Sequence, residues 1–202
     1  MSAVEFNAAV SATRAGRALG ALFFSAFGGA WLALWAYRAF EHQVAVLVVV
    51  AVATVALFAF TYRRYLQHRP ALKAEAASPA RQRAARMFNM VNATQWVLIL
   101  VVGNVLANVG LSAWVIPAAI FIIGLHFLPL ARVFANRPHY LTGAALMLLA
   151  VAYPLLAPGG PNSPTGCLGA GLILWASALW AVTAAPALAS TATGAAAART
   201  QT

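Results

Sequence analysis

The stretch Trp96–Ala131, WVLILVVGNVLANVGLSAWVIPAAIFIIGLHFLPLA, decides the fold. It is apolar from end to end apart from single polar residues, and as one straight helix it would run over roughly 50 Å at 1.5 Å per residue. The hydrocarbon core of a bilayer is only about 30 Å thick. The stretch must therefore reverse. Gly110 and Ser112 permit a tight turn, and Pro117 suits the first turn of a new helix. The sequence thus predicts one helix over 94–109 and another over 113–131.

Outward from this hairpin lie four more apolar runs of crossing length, over 18–37, 44–62, 140–157 and 166–185. The fold class expected is all-α, a polytopic membrane protein with six transmembrane helices in a compact bundle. Composition calls for the same solvent. With 63% hydrophobic and 8% charged residues, a soluble domain of this size has too few charged side chains to cover its apolar surface. Arg14 and Arg17 precede the first run as they would a secretory signal, but its apolar length exceeds a signal core and a second span follows at once. It counts as a crossing.

Charge tests the division independently of hydropathy. Six crossings put Arg14, Arg17, Arg63, Arg64, Arg69, Lys73, Arg81, Arg83, Arg86, Arg132, Arg137 and Arg199 on one side, twelve in all, and Arg38 alone on the other. Were 96–131 a single crossing, Arg132, Arg137 and Arg199 would change sides and the split would fall to nine against four. By the positive-inside rule, the segment 1–17, the basic loop 63–92 and a disordered tail 190–202 then lie in the cytoplasm, and the protein sits in the inner (plasma) membrane.

A net charge of +10 invites a nucleic-acid reading of the basic loop. Topology alone demands cytoplasmic Arg and Lys, however, and neither a recognition motif nor aromatic interleaving accompanies them. The partners expected are anionic lipid headgroups, met by Arg63, Arg64, Arg81, Arg83 and Arg86 at about 1 kcal/mol per charge; nucleic acid is not expected. The segment after Pro79, with its arginines followed by Met87, Phe88 and Met90, reads as a short helix lying at the interface, and residues 2–16 read likewise.

Absences bound the chemistry. Glu5, Glu41 and Glu75 are the only acids, all in loops or at an edge, so a pump driven through buried carboxylates lacks its equipment. The single cysteine, Cys167, cannot form an intrachain disulfide and reads as a packing residue. His42, His68 and His139 fall in loops or at interfaces, no Walker, Rossmann or metalloprotease pattern occurs, and neither cofactor nor metal is expected.

What remains is a modest intramembrane polar set. His126 lies in Gly124–Leu125–His126–Phe127–Leu128–Pro129, and Asn104 and Asn108 share a face of the third helix. A tight hairpin would bring Asn104 and His126 within roughly 10 Å of one depth, where they form one interior site. Tyr153, beside Pro154, and Ser177, flanked by Trp175 and Trp180, complete its wall. Such residues often only bond helix to helix, at about 0.6–2 kcal/mol each. Two functions stay open: transport or permeation of a small neutral or anionic solute, and a non-transporting scaffold or accessory subunit whose polar residues serve packing alone. An intramembrane enzyme with His126 as general base is weaker, because no acid stands near to orient the imidazole. The glycines of the first and sixth helices also suit a homo-oligomer.

Overall fold

The computed structural model describes residues 3–41, 43–74 and 79–184. Helix α1 spans Ala3–Ala39, α2 Val44–Ala74, α3 Pro79–Asn108, α4 Val115–Val133, α5 Pro138–Leu156 and α6 Thr165–Thr183. No strand occurs among the described residues. All six helices are long and apolar enough to cross a membrane, and the fold is that of a multi-pass membrane protein.

The reversal inside 96–131 falls at Gly110, whose φ of 80° is open to glycine at little cost. Leu111 N–H donates to Leu106 O at 2.8 Å and Gly110 N–H to Ala107 O at 3.4 Å, the paired bonds that satisfy the last carbonyls of a helix. A single 3-10 turn, Ser112–Trp114, leads into α4. The α4–α5 turn repeats the device, with Asn136 N–H on Ala131 O at 3.0 Å and Ala135 N–H on Arg132 O at 3.2 Å. There the left-handed position is filled by Ala135, at φ 47°.

Helices α4, α5 and α6 have 19 residues each, about 29 Å at 1.5 Å per residue, which matches the hydrocarbon core. Helices α1, α2 and α3 have 37, 31 and 30 residues and overshoot it. Their surplus length lies at one end, the basic end, where the start of α1, the end of α2 and the start of α3 meet the end of α6 and the α4–α5 turn.

This corrects two expected boundaries. The loop drawn over 63–92 is helix on both sides of residues 75–78, since α2 runs on to Ala74 through Pro70 and α3 begins at Pro79. The segment 1–17 is continuous with α1 from Ala3 rather than a separate surface helix, and Val10, Ala12 and Ala15 within it are buried. Hydropathy ends where apolar residues end. Backbone propensity does not, because Arg, Gln, Leu and Ala continue a helix readily. The tail 190–202 lies outside the described residues.

Helix α1 packs between α2 and α6, α4 packs between α3 and α5, and α5 meets α6 to join the two groups. The core between them holds Ala21 and Phe24 of α1, Ile120, Phe127 and Leu130 of α4, Leu146 and Ala150 of α5, and Ala170 and Leu174 of α6. Glycines allow the closest approaches. A Cβ on Gly124 would stand 2.8 Å from Gly143 O, and one on Gly143 2.7 Å from Gly124 O, so α4 and α5 touch backbone to backbone. Gly28 and Gly171 do the same for α1 and α6, and Gly29 is filled by Thr54 and Gly169 by Leu149. Gly28, Gly29, Gly169 and Gly171 are thus used within the chain, whereas a Cβ on Gly16 or Gly20 of α1 would meet nothing within 4 Å.

Helices α2 and α3 are peripheral, with 6% of each apolar window buried against 44% for α1. Val48, Val52 and Val55 of α2, and Val97, Leu100 and Val101 of α3, are exposed on their outer faces. Lipid is the solvent those faces fit.

Candidate functional site

The five intramembrane residues singled out in the sequence do not come together. Gly103 of α3 packs on Val115 of α4, and the rings of Phe88 and Phe134 lie 6.1 Å apart near the other end of the same pair. This register sets Asn104 beside the start of α4, roughly 17 Å in depth from His126 at 1.5 Å per residue. Asn104 and Asn108 are exposed on the outer face of α3, each amide nitrogen donating to the carbonyl four residues back, at 3.0 Å to Leu100 O and 2.8 Å to Asn104 O. Their shared site with His126 is corrected: the hairpin is tight, but its register and helix rotation part them.

Another polar residue, Gln95 of α3, stands near the depth of His126. Gln95 lies two turns beyond Phe88 on the buried stripe of α3, and His126 is on the α4 face that Val115 presents to α3, three turns on. The same register places them at one depth of the α3–α4 seam. Gln95 is 9% exposed, and its Oε1, together with Nδ1 and Nε2 of His126, is buried without a hydrogen-bond partner. Phe127 packs its ring 5.0 Å from the imidazole. Neither residue lines a cavity described below. Gln95 escaped notice in the sequence because it stands at the membrane-entry end of the third apolar run, next to Trp96, where a polar residue is unremarkable.

Tyr153 serves the opposite end. It is 4% exposed, its ring fills the space over Gly166, and its hydroxyl donates to Pro161 O at 3.3 Å, tying α5 to the loop before α6. Arg38 holds the same loop through Asn162 O at 2.8 Å.

Ser177 alone of the five lines a cavity. Between α1, α5 and α6 at the basic end lies a recess of about 270 Å³, with Arg17, Asn136, His139, Thr142 and Ser177 as its polar lining. Ser177 Oγ donates to Ile173 O at 2.8 Å and lies 2.8 Å from Thr142 Oγ1, which leaves Thr142 to donate across the helix pair. The His139 ring packs 5.7 Å from that of Phe24 and 5.8 Å from that of Phe127, and Asn136 Nδ2 approaches its Nε2 at 3.2 Å. Leu141, Ile173 and Trp180 form the apolar walls. The recess follows α5 from Pro138 to Ala145 and closes above Leu146 and Leu174, both buried.

A second recess of about 370 Å³ adjoins it, lined by Arg14 and Arg17 of α1, Arg64 and His68 of α2, and the end of α6. Arg17 belongs to both. Its guanidinium donates to Ala184 O at 3.1 Å, just past the end of α6, and to Trp180 O at 3.4 Å, which also accepts from Ala184 N–H at 3.0 Å. Arg64 rests over the Phe60 ring at 5.6 Å. Glu41, the one acid whose side chain the structure describes, lies at the other end of α1. Three guanidiniums from two helices, with no described carboxylate near them, make a positive site suited to an anion. Sequence reasoning missed it because Arg14, Arg17, Arg64 and His68 read there as parts of a flanking segment and a loop, and only the continuation of α1 and α2 as helices brings them together. Arg63, Arg81, Arg83 and Arg86, the remaining expected headgroup contacts, do not line either recess.

No family model, curated protein or solved structure matches this chain.

Proposed function

We propose that this is a multi-pass inner-membrane protein, basic end in the cytoplasm, that admits a small anionic solute from that end into the recess between α1, α5 and α6. The observation that carries the reading is Arg17, shared by an arginine-lined recess and by a second recess floored by Thr142, Ser177 and His139. The outer recess attracts an anion by charge. The inner one offers hydroxyl and imidazole groups in place of water. Orientation follows from the arginines, eleven of whose twelve positions fall within the described residues and ten of those at the basic end, with Arg38 opposite.

Swelling of proteoliposomes tests it. Under gradients of potassium nitrate, with valinomycin present to carry potassium, or of glycerol, the intact protein should speed entry of nitrate over protein-free vesicles, with a smaller effect on glycerol. Ser177→Leu, which fills the inner recess, should abolish the gain. Swelling that matches protein-free vesicles for both solutes removes the transport reading.

A non-transporting scaffold is favoured by one specific observation. Ser25 and Thr61 between α1 and α2 are fully buried with hydroxyls 3.5 Å apart, and Trp175 Nε1 donates to Ser25 O at 3.2 Å. These polar groups lock α1 to α2 and α6 and line no cavity. A scaffold leaves solute flux unchanged while a second protein copurifies with the chain.

A further inference from the structure

The inner recess is not closed against the lipid-facing surface. Leu141, which forms one wall, is 71% exposed, and Trp180, which forms another, is 58% exposed. The exposed walls make the recess a groove open to the outer surface beside the α5–α6 seam. It spans about three quarters of one leaflet: Pro138 to Ala145 on α5 and Ala181 to Ile173 on α6 each cover roughly 11 Å at 1.5 Å per residue, against about 15 Å for half the hydrocarbon core. A freely dissolved anion has no reason to enter through hydrocarbon, whereas an acyl chain does.

We propose that the groove and the arginine recess form one site for an anionic phospholipid of the leaflet at the basic end, its phosphate held by Arg14, Arg17 and Arg64 beside His68 and one acyl chain laid between Leu141 and Trp180. This gives the inner recess an acyl chain in place of the small anion proposed above, and rests on the shape and charge of the two recesses, not on conduction. Arg17 joins the two parts of the site, since it lines both and is fixed by its bonds to Ala184 O and Trp180 O. The phosphate sits at headgroup level because the groove ends where α6 ends. An annular lipid meets charges on one helix at a time; here the charges of α1 and α2 converge on one volume of about 370 Å³, large enough for a headgroup. The zwitterionic headgroup of phosphatidylcholine brings its own cation into the arginine cluster and is disfavoured.

Trp180 reports occupancy. The full chain and its Trp180→Phe variant are reconstituted in vesicles containing brominated-chain phosphatidylglycerol or brominated-chain phosphatidylcholine, and the difference in quenched fluorescence between them isolates Trp180. The brominated anionic lipid should quench Trp180 at severalfold lower mole fraction than the zwitterionic one. Arg14→Gln and Arg64→Gln, both at exposed side chains, should each cut that preference about fivefold, the factor for about 1 kcal/mol per headgroup charge; Arg64→Lys should retain it. Equal quenching by the two lipids, or a preference that survives both glutamine variants, overturns the site. So does loss of the preference on adding inorganic phosphate at millimolar concentration, since the recess then takes soluble phosphate and not lipid. A lipid preference in a protein that fails the swelling assay leaves this site standing and removes only the transport reading.

Discussion

Thr142 Oγ1 of α5 and Ser177 Oγ of α6 lie 2.8 Å apart, the one side-chain hydrogen bond the structure gives between those two helices. It lies partway along the recess, which runs past it to Ala145 and Ile173 and ends against buried Leu146 and Leu174. Each residue also has a carbonyl of its own helix in reach, Pro138 O at 3.2 Å for Thr142 and Ile173 O at 2.8 Å for Ser177. The pair is therefore satisfied without solvent and can be remade with a ligand oxygen.

The strength of that pair is measurable. Thr142→Val, Ser177→Ala and their combination, unfolded thermally in detergent, should give a coupling of about 0.6 kcal/mol and no more than about 2, the range for hydroxyl contacts between membrane helices. Strict additivity of the two single variants contradicts the bond.

The backbone contact of α4 with α5 leaves no room to relax. Gly124→Leu must displace Gly143 O and Met147, and it should cost at least about 2 kcal/mol in the same assay. Gly16→Leu is the control. A Cβ there meets nothing within 4 Å, and stability should hold within about 0.5 kcal/mol.

Ala135, at φ 47° in the α4–α5 turn, occupies a conformation that costs an ordinary residue about 1 kcal/mol. Ala135→Gly should raise stability by about that amount, because the hydrogen bonds of the turn come from the backbone and stay in place. A drop in melting temperature contradicts the strain.

The α3–α4 seam gives the opposite sign from the usual core substitution. Gln95 Oε1 is buried without a partner, a group costing about 1–3 kcal/mol, while the His126 ring has the backbone of Ile123 beside it. Gln95→Leu should raise stability, and His126→Leu should leave nitrate-driven swelling intact. Loss of swelling in a well-folded His126→Leu protein moves the solute path to that seam.

Orientation is read by labelling intact cells. Cys167 is fully buried, so Cys167→Ala provides a silent background. In it, Asn162→Cys should react with an impermeant maleimide from outside and Arg81→Cys only after lysis. The reverse pattern inverts the protein in the membrane.

The crossings were legible in the sequence for a plain physical reason. A bilayer fixes the length of an apolar helix, and one reversal at Gly110 reconciled both the length of 96–131 and the distribution of arginines. The site was legible only at Ser177. His126 drew attention as an imidazole at membrane depth, yet it lines neither recess; Asn104 and Asn108 drew it as a shared face, yet that face is turned outward. His139, a loop or interface residue by its place beside Pro138 in the sequence, packs against Phe24 and Phe127 and lines the recess.

By itself the sequence determined how many helices cross and at which end the charge collects, because apolar length and arginine position are properties of the chain read in order. The tertiary structure alone decided which side of each helix faces a neighbour. Lipid and protein interior are both apolar, so hydropathy carries no contrast between them, and rotation is set by local fits such as Gly124 on Gly143 and Gly28 on Trp175. The meeting of Arg14, Arg17, Arg64 and His68 around one recess is a consequence of those rotations, and of α1 and α2 continuing as helices past the apolar runs.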